Sequence, residues 1–209
     1  MPSIKQLKSP VVHALVELAF PHVLDSTATE DLERLLSPTV LPHLRRLRLG
    51  KVSGRARYSV EYVPQVSSAF LDQLEFLQLD RPTLSGTWRA PFPADHAYRT
   101  TRAPTLIELK SFAYVEPATF PCPFVRHLYV HQIDSEGPRV LPLLIEHASL
   151  EAVFLPAALN HARNAHVDAV RAACAQADVD VVWAERDKFA VILPAFVEYV
   201  REKNVKEAA

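Results

Sequence analysis

Leu44-Arg-Arg-Leu47-Arg-Leu49 is a run of six residues in which leucine returns after three positions and again after two. The same pattern recurs, in whole or in part, in five other segments of the chain. These are Leu15-Val-Glu-Leu18-Ala-Phe20, Leu74-Glu-Phe-Leu77-Gln-Leu79, Leu106-Ile-Glu-Leu109, Val125-Arg-His-Leu128-Tyr-Val130 and Leu150-Glu-Ala-Val153-Phe-Leu155. Self-similarity at intervals of about 20 to 30 residues is typical of stacked repeats, in which each unit buries its apolar face against its neighbours.

The second half of each signature alternates between two kinds of side chain. Leu47 and Leu49 alternate with two arginines, and side chains that alternate in this way point to opposite faces of a β-strand. A seventh segment, Val179-Asp-Val181-Val182-Trp183, has the same character. We therefore predict an α/β fold in which about seven short parallel strands form one curved sheet, with helices or irregular segments on its outer, convex side.

Helices are predicted between the strands where apolar residues recur at helical spacing, as in Leu32, Leu35 and Leu36. The predicted helices run from Ser26 to Ser37, from Pro64 to Gln73, from Pro138 to His147 and from His161 to Gln176. The tail 189–206 has an apolar stripe that predicts a C-terminal capping helix on the last open repeat. Residues 1–209 would then form a single domain.

Two segments do not follow this pattern. The proline-rich stretch 81–104 is predicted to be an irregular outer loop, in which Trp88 and Phe92 either anchor the loop or form an exposed recognition tip. The step from position 106 to position 125, which includes 119–123, is too short for a full helix with two connections. That repeat is expected to return by a turn or an extended segment.

The composition argues against several classes of function. A formal net charge of -1 provides no basic field for a nucleic acid backbone. The four glycines form no phosphate-binding loop, and Cys122 and Cys174 lack the spacing of a zinc site or a disulfide framework. The sequence contains neither a secretory signal nor a long apolar run. We expect a cytoplasmic or nuclear protein with no cofactor and with no nucleic acid or membrane as partner.

The Leu-x-x-Leu-x-Leu strands are similar to those of leucine-rich repeats, whose strands line the inner face of an arc. Gly50 and Asp80 end the two clearest strands, and the usual asparagine or cysteine is not in place after them, so the repeats resemble a degenerate version of that family. The stretch from Val167 to Trp183 resembles the closing helix and strand of fungal F-box and leucine-rich-repeat proteins. The resemblance covers about residues 10 to 185.

In those proteins the F-box docks on the adaptor of a ubiquitin ligase while the repeats hold a substrate. The resemblance therefore implies a substrate-recognition module. Because the first signature begins at Leu15, the segment before it is too short to hold the helices of an F-box. We expect no ubiquitin-ligase adaptor to bind this chain alone.

Residues suited to catalysis or metal binding are few. His127 and His131 lie four apart, but on a strand this spacing separates the two imidazoles by roughly 13 Å, too far to share a metal ion. Cys174 fits a small core residue better than a nucleophile. The sequence places no histidine and acid beside a serine. We predict no catalytic residue and no metal site, so the chain is not expected to be an enzyme.

One basic cluster supports an alternative function. It consists of Arg45, Arg46, Arg48, Lys51, Arg55 and Arg57. A cluster of this kind suits either a solvated surface or an acidic or phosphate-bearing partner. The alternative is therefore a phosphate- or GTPase-directed enzyme activator that uses the arginines around Arg46.

The favoured prediction is a non-catalytic protein-binding scaffold whose concave face contacts an unidentified protein partner. The residues expected there combine charges of both signs with aromatic rings, as protein-recognition surfaces do. They are Glu17, Arg46, Arg48, Phe76, Gln78, Glu108, Lys110, His127, Tyr129, His131 and Phe154. On this prediction Leu77 and Leu128 are buried in the stack, whereas Phe76 and Tyr129 face the solvent.

Overall fold

The computed structural model describes most of the chain, in separate segments. These are 14–23, 26–52, 66–80, 101–112, 125–147, 149–161, 163–187 and 190–209. Most of the predicted outer loop, including Trp88 and Phe92, lies outside the described residues, as does the predicted turn around 119–123.

The described residues contain seven strands, which form one sheet. They are β1 (Glu17–Val23), β2 (Arg46–Val52), β3 (Phe76–Asp80), β4 (Thr105–Ser111), β5 (His127–Gln132), β6 (Ala152–Pro156) and β7 (Asp180–Ala184). Every neighbouring pair is parallel, and the order of the strands across the sheet is their order along the chain. The prediction of an α/β fold with about seven short parallel strands in one sheet is confirmed.

The same residues contain five α-helices. They are α1 (Ser26–Leu35), α2 (Ser68–Asp72), α3 (Gly137–His147), α4 (Ala165–Gln176) and α5 (Pro194–Glu207). The Asn164 side chain accepts a hydrogen bond from the His166 backbone N–H, and this cap makes α4 begin at Ala165, after the predicted start at His161. Among the described helices, none combines the length and the apolar character needed to cross a lipid bilayer.

One face of the sheet, here called the first face, carries a continuous apolar core. Leu47 of β2 lies beside Leu77 of β3 in the register, and both side chains are completely buried. Leucine, isoleucine and valine side chains of β4, β5 and β6 continue this core. Side chains from α1 to α4 pack against it, and they include Leu32, Phe70, Leu144 and Val170. These four helices thus cover the first face, as the sequence predicts for the outer side of the sheet.

The opposite face of the sheet, here called the α5 face, is also covered. The C-terminal helix packs on it and forms a second apolar cluster with the strands, which includes Phe76, Leu106, Phe154 and, from α5, Phe196. Strands of a parallel sheet are apolar on both sides when both faces are packed, and β4 shows this in its run of five successive buried residues.

The prediction that Phe76 and Tyr129 face the solvent is therefore wrong, because their exposed fractions are only 5% and 3%. The C-terminal helix is present, but it begins at Pro194, which occupies its first turn. It contacts β7 and also lies over the middle of the sheet instead of covering the last repeat alone. The apolar side of the C-terminal helix packs on the sheet face that the sequence pattern predicts to be exposed.

Replacement of Phe76 by alanine is expected to destabilise the fold by about 3 to 5 kcal/mol, comparable with about 2 to 5 kcal/mol for Leu77→Ala, because each change leaves a cavity in a buried cluster. Chemical denaturation followed by circular dichroism measures both. Leu143→Ala in α3 is the control, since Leu143 is 40% exposed and its loss should change the stability by only about 0.5 kcal/mol. A Phe76→Ala protein as stable as the control would show that α5 does not cover the sheet in solution.

Candidate functional site

The residues predicted to line a protein-binding surface do share one face, the α5 face, but α5 covers its middle. The buried ones are Phe76, Gln78, Glu108, His127, Tyr129 and Phe154. The partly or fully exposed ones are Glu17, Arg46, Arg48, Lys110 and His131. The prediction that all of them form one exposed surface is therefore wrong, because the chain's own C-terminal helix occupies the centre of that surface.

Phe196 seats α5 on the sheet. Its ring centroid lies 5.0 Å from that of His127, 5.7 Å from that of Phe76 and 5.8 Å from that of Phe154. The two phenylalanine contacts are edge-to-face, the arrangement in which the positive rim of one ring meets the negative face of another. Phe196 is completely buried, so these contacts hold the first turn of α5 against β3, β5 and β6.

Glu108 is a buried carboxylate that ties the segment before α5 to the sheet. One carboxylate oxygen accepts hydrogen bonds from Gln78 Nε2 at 2.7 Å and from Arg48 at 3.2 Å. The other contacts His131 and lies 3.4 Å from the Arg186 guanidinium. Only 4% of the Glu108 side chain is exposed, and a desolvated charge is tolerated only with such partners. Because Arg186 lies two residues after β7, this ion network holds the chain just beyond β7 against the sheet.

Gln78 links that network to the start of α5. While its amide nitrogen donates to Glu108, its amide oxygen accepts a hydrogen bond from the Leu193 backbone N–H at 2.9 Å. Leu193 directly precedes Pro194 and lies 115 positions after Gln78 in the chain. Both polar groups of the buried amide are thereby satisfied, and α5 starts at a defined point on the sheet.

A cleft of about 520 Å³ opens beside the second half of α5, where β4, β5 and β6 begin. The loops leading into these strands form one wall, and α5 forms the other. The charged residues that line the cleft are Arg102, Arg126, Glu151, Lys203 and Glu207. Of the predicted site residues, His127 lines it. This cleft is the candidate functional site.

The sheet register and α5 together bring the charges of the cleft into contact. Arg126 and Glu151 directly precede β5 and β6, and the guanidinium of Arg126 donates to the Glu151 carboxylate at 3.1 Å. Lys203 of α5 donates to the same carboxylate at 3.0 Å and to the Tyr199 hydroxyl at 3.2 Å. The Tyr199 hydroxyl donates in turn to Asp180 at the start of β7, at 2.8 Å.

These contacts hold Glu151 and Lys203 in their charged forms. Desolvation lowers the pKa of the Lys203 ammonium, but its hydrogen bonds to Glu151 and Tyr199 outweigh this effect and raise the pKa to about 12. Partial burial raises the pKa of the Glu151 carboxyl, but the hydrogen bond and charge of Lys203 help to bring that pKa below its ordinary value. Both pKa values are moved away from neutrality.

His127 has 6% of its side chain exposed. Burial lowers the pKa of the imidazole to about 4, although a hydrogen bond to the Thr105 carbonyl opposes the shift, so the ring is neutral at pH 7. Nδ1 lies 3.3 Å from that carbonyl oxygen, which can only accept, so Nδ1 carries the proton. Nε2 is therefore an acceptor, and it lies 3.9 Å from a carboxylate oxygen of Glu151, which is also an acceptor.

The described arginines of the basic cluster have different partners. Arg45 donates to two backbone carbonyls, Arg46 pairs with Glu17, and Arg48 pairs with Glu108. The structure does not describe the side chains of the other three members, Lys51, Arg55 and Arg57.

The histidines and the cysteine considered from the sequence lie in separate places. His127 faces Thr105 and the cleft, whereas His131 contacts Glu108. Within the described segments, no group of three or more His, Cys, Asp or Glu side chains is arranged to hold a metal ion. Cys174 is buried, and burial raises the pKa of its thiol to about 12, the opposite of what a nucleophilic thiolate requires.

The charged residues of the cleft were not among the predicted site residues, although part of their arrangement has a signal in the sequence. Arg126 and Glu151 occupy the same position, the second, in successive Leu-x-x-Leu signatures. Equivalent positions of adjacent parallel strands are neighbours, so their opposite charges indicate a cross-strand pair. Tyr199 and Lys203 are four residues apart and share one side of α5. Nothing local in the sequence indicates that this side meets Glu151.

Substitution of Glu108 by alanine is expected to destabilise the protein by about 3 to 5 kcal/mol, because it leaves buried cationic and amide groups without their acceptor. The matched control is Glu136→Ala, which breaks an exposed ion pair with Arg139 and should cost about 1 kcal/mol or less. Urea denaturation measures both. Equal losses in the two variants would contradict the central role of the Glu108 network.

The low pKa of His127 predicts a loss of stability in acid. The folded state holds the neutral ring, whereas in the unfolded chain the imidazole has its ordinary pKa of 6.5 and binds a proton below that pH. The contribution of His127 to the free energy of unfolding therefore has its full value above pH 6.5. It decreases by about 3 kcal/mol in total as the pH falls towards 4. His127→Asn keeps a donor for Thr105 and does not titrate. The difference in unfolding free energy between wild type and variant should change across this interval, and a constant difference would contradict the prediction.

Comparison of the chain with protein-family models, with curated proteins and with solved structures gives no match. The resemblance to leucine-rich-repeat proteins therefore rests on the residues quoted from the sequence, and the function has to be argued from the site itself.

Proposed function

We propose that this chain is a non-catalytic protein-binding module, built as a degenerate leucine-rich-repeat solenoid, and that the cleft beside α5 is its recognition site. The solenoid is supported by the strand order: each described strand pairs only with the strands next to it along the chain. Repeats that contact only their neighbours produce this order. In such a solenoid the sheet is curved, with the first face outward and α5 on the inner side.

The observation that carries the binding role is the cleft with its lining of opposite charges. Its volume of about 520 Å³ is in the range of pockets that accept ligand-sized groups. It is open to solvent at the edge of the sheet, and Arg126 at its rim has 64% of its side chain exposed. Charged side chains around such an opening favour recognition of a segment of complementary charge.

Binding without catalysis is supported by the direction of the pKa shifts in the cleft. A general acid or base works best with a pKa near the working pH. The pKa of Lys203 is raised to about 12 and that of His127 is lowered to about 4, so neither group is prepared for proton transfer at neutral pH. The ion pairs of the cleft suit the electrostatic recognition of a partner.

A finer proposal follows the resemblance to F-box and leucine-rich-repeat proteins. The stretch from Val167 to Trp183, which carries that resemblance, forms most of α4 and nearly all of β7. On this proposal the partner in the cleft is a protein destined for ubiquitination, and the protein acts in the cytoplasm or nucleus. In a binding assay with purified ubiquitin-ligase adaptor, this chain alone is expected not to bind.

The binding role is tested by quantitative affinity capture from cell extract followed by mass spectrometry. The double variant Arg102→Glu plus Arg126→Glu reverses two charges at the rim of the cleft, and it should lose proteins that the wild type captures. The control variant is Arg139→Glu in α3, at an exposed position that is not part of the cleft, and it should retain them. Losses should be greatest at low salt, because ions screen the attraction.

Identical sets of proteins captured by the wild type and the double variant would contradict the proposal for the cleft. If instead proteins were lost only on substitution of Glu17 and Arg46, the recognition site would be the part of the α5 face nearest β1.

A further inference from the structure

We infer that the cleft binds an acidic peptide segment carrying a hydroxyl group, which donates a hydrogen bond to His127 Nε2 while neighbouring carboxylates of the peptide meet Arg102 and Arg126. This inference rests on the proposed function, because it names the class of partner for the same site.

The first argument is an acceptor without a donor. His127 is more than nine-tenths buried, and its Nδ1 proton is used by the Thr105 carbonyl. Among the described residues, none donates a hydrogen bond to Nε2, and the Glu151 oxygen 3.9 Å away cannot donate. A buried polar atom of this kind costs free energy until a partner satisfies it. Since His127 lines the cleft, a group bound in the cleft can supply the missing donor.

The second argument concerns the charge of that donor. The donor would lie close to Glu151, which already accepts hydrogen bonds from Arg126 and Lys203. An ammonium or guanidinium group at this place would therefore be repelled by Arg126 and Lys203, because the charge of Glu151 is already shared between these two cations. A neutral hydroxyl avoids this repulsion and donates one hydrogen bond, which matches a single free acceptor.

The third argument concerns the rim. Arg102, Arg126 and Lys203 line the cleft against two carboxylates, those of Glu151 and Glu207, so its charged groups carry an excess of one positive charge. Glu151 is engaged by two of these cations, and Arg102 is exposed. Carboxylates next to the hydroxyl in the bound segment would complement this excess, and their approach would be accelerated by the same field.

The experiment measures fluorescence anisotropy of labelled, end-blocked heptapeptides with the full chain. The first peptide has a central Ser flanked by Asp and Glu, the second replaces this Ser by Ala, and the third replaces the acidic flanks by Lys. The Ser peptide should bind about fivefold more tightly than the Ala peptide. It should bind at least about tenfold more tightly than the Lys-flanked peptide. The preference for Ser requires no altered protein, so it does not depend on whether a variant folds.

Two variants assign the contacts. In His127→Asn the preference for the Ser peptide over the Ala peptide should disappear, because the Nε2 acceptor is removed while the donor to Thr105 is retained. In Arg102→Gln plus Arg126→Gln the Ser and Ala peptides should both weaken about fivefold, with a smaller salt dependence. Arg139→Gln serves as the control and should bind as the wild type does. Long-range ¹H–¹⁵N spectra should show the Nε2 signal of His127 shifting only with the Ser peptide.

Equal binding of the Ser and Ala peptides to the wild type would overturn the inference, and so would equal binding of the acidic and Lys-flanked peptides. A phosphoserine peptide that binds about tenfold more tightly than the Ser peptide would also overturn it, because the arginines would then be reading a phosphate. If no peptide binds at about 1 mM while capture of cellular proteins still requires Arg102 and Arg126, the inference fails and the proposed function stands. If that capture is also independent of both arginines, the proposed function fails as well.

Discussion

The central strands of this sheet carry apolar side chains on both faces, and water has to be excluded from both. Helices between the strands cover the first face, because each lies in the chain next to the strand that it packs on. Among the described helices, only α5 packs on the opposite face. Phe76, Leu106 and Phe154 are buried there in one cluster with Phe196, which the chain places on this face after β7. The ion network and the cleft both follow from this placement.

Covering the α5 face removes Glu108 and His127 from water, and the structure accommodates these two groups in different ways. Glu108 contacts cationic and amide donors on both carboxylate oxygens, as a charge in a desolvated site requires. His127 lies among aromatic rings with one backbone carbonyl as its partner, and burial lowers the pKa of the imidazole so that the ring stays neutral. Glu108 stays charged because donors from four separate strands and connections surround it, whereas His127 stays neutral because mainly carbon atoms surround its ring.

For the proposed binding role, the position of α5 decides which part of the sheet surface a partner can reach. An open sheet would offer a broad surface of alternating side chains, and α5 fills the centre of that surface. Beside α5, the cleft at the starts of β4 to β6 stays accessible, and there Arg126, Glu151 and Lys203 are held by the sheet on one side and by the helix on the other. A site held by two elements is more precisely organised than one carried on a single loop, which favours selective binding.

The strands, their parallel order and the core of the first face were determined by the sequence itself. The spacing of leucines such as Leu47 and Leu77 encodes both a period of two and a repeat, and these are local properties that need no knowledge of the rest of the chain. The same alternation correctly assigned Phe76 and Glu108 to one shared face. It did not indicate whether that face is exposed to solvent or buried, because alternation describes the direction of a side chain and not what packs on it.

Only the tertiary structure decided that α5 lies on this face, that Gln78 meets Leu193, and that Lys203 reaches Glu151. The residues in each contact are separated by 50 or more positions along the chain. The physical reason is that a helix docks where the sum of its buried contacts is most favourable. That sum depends on the shape of the assembled sheet, which no local pattern contains.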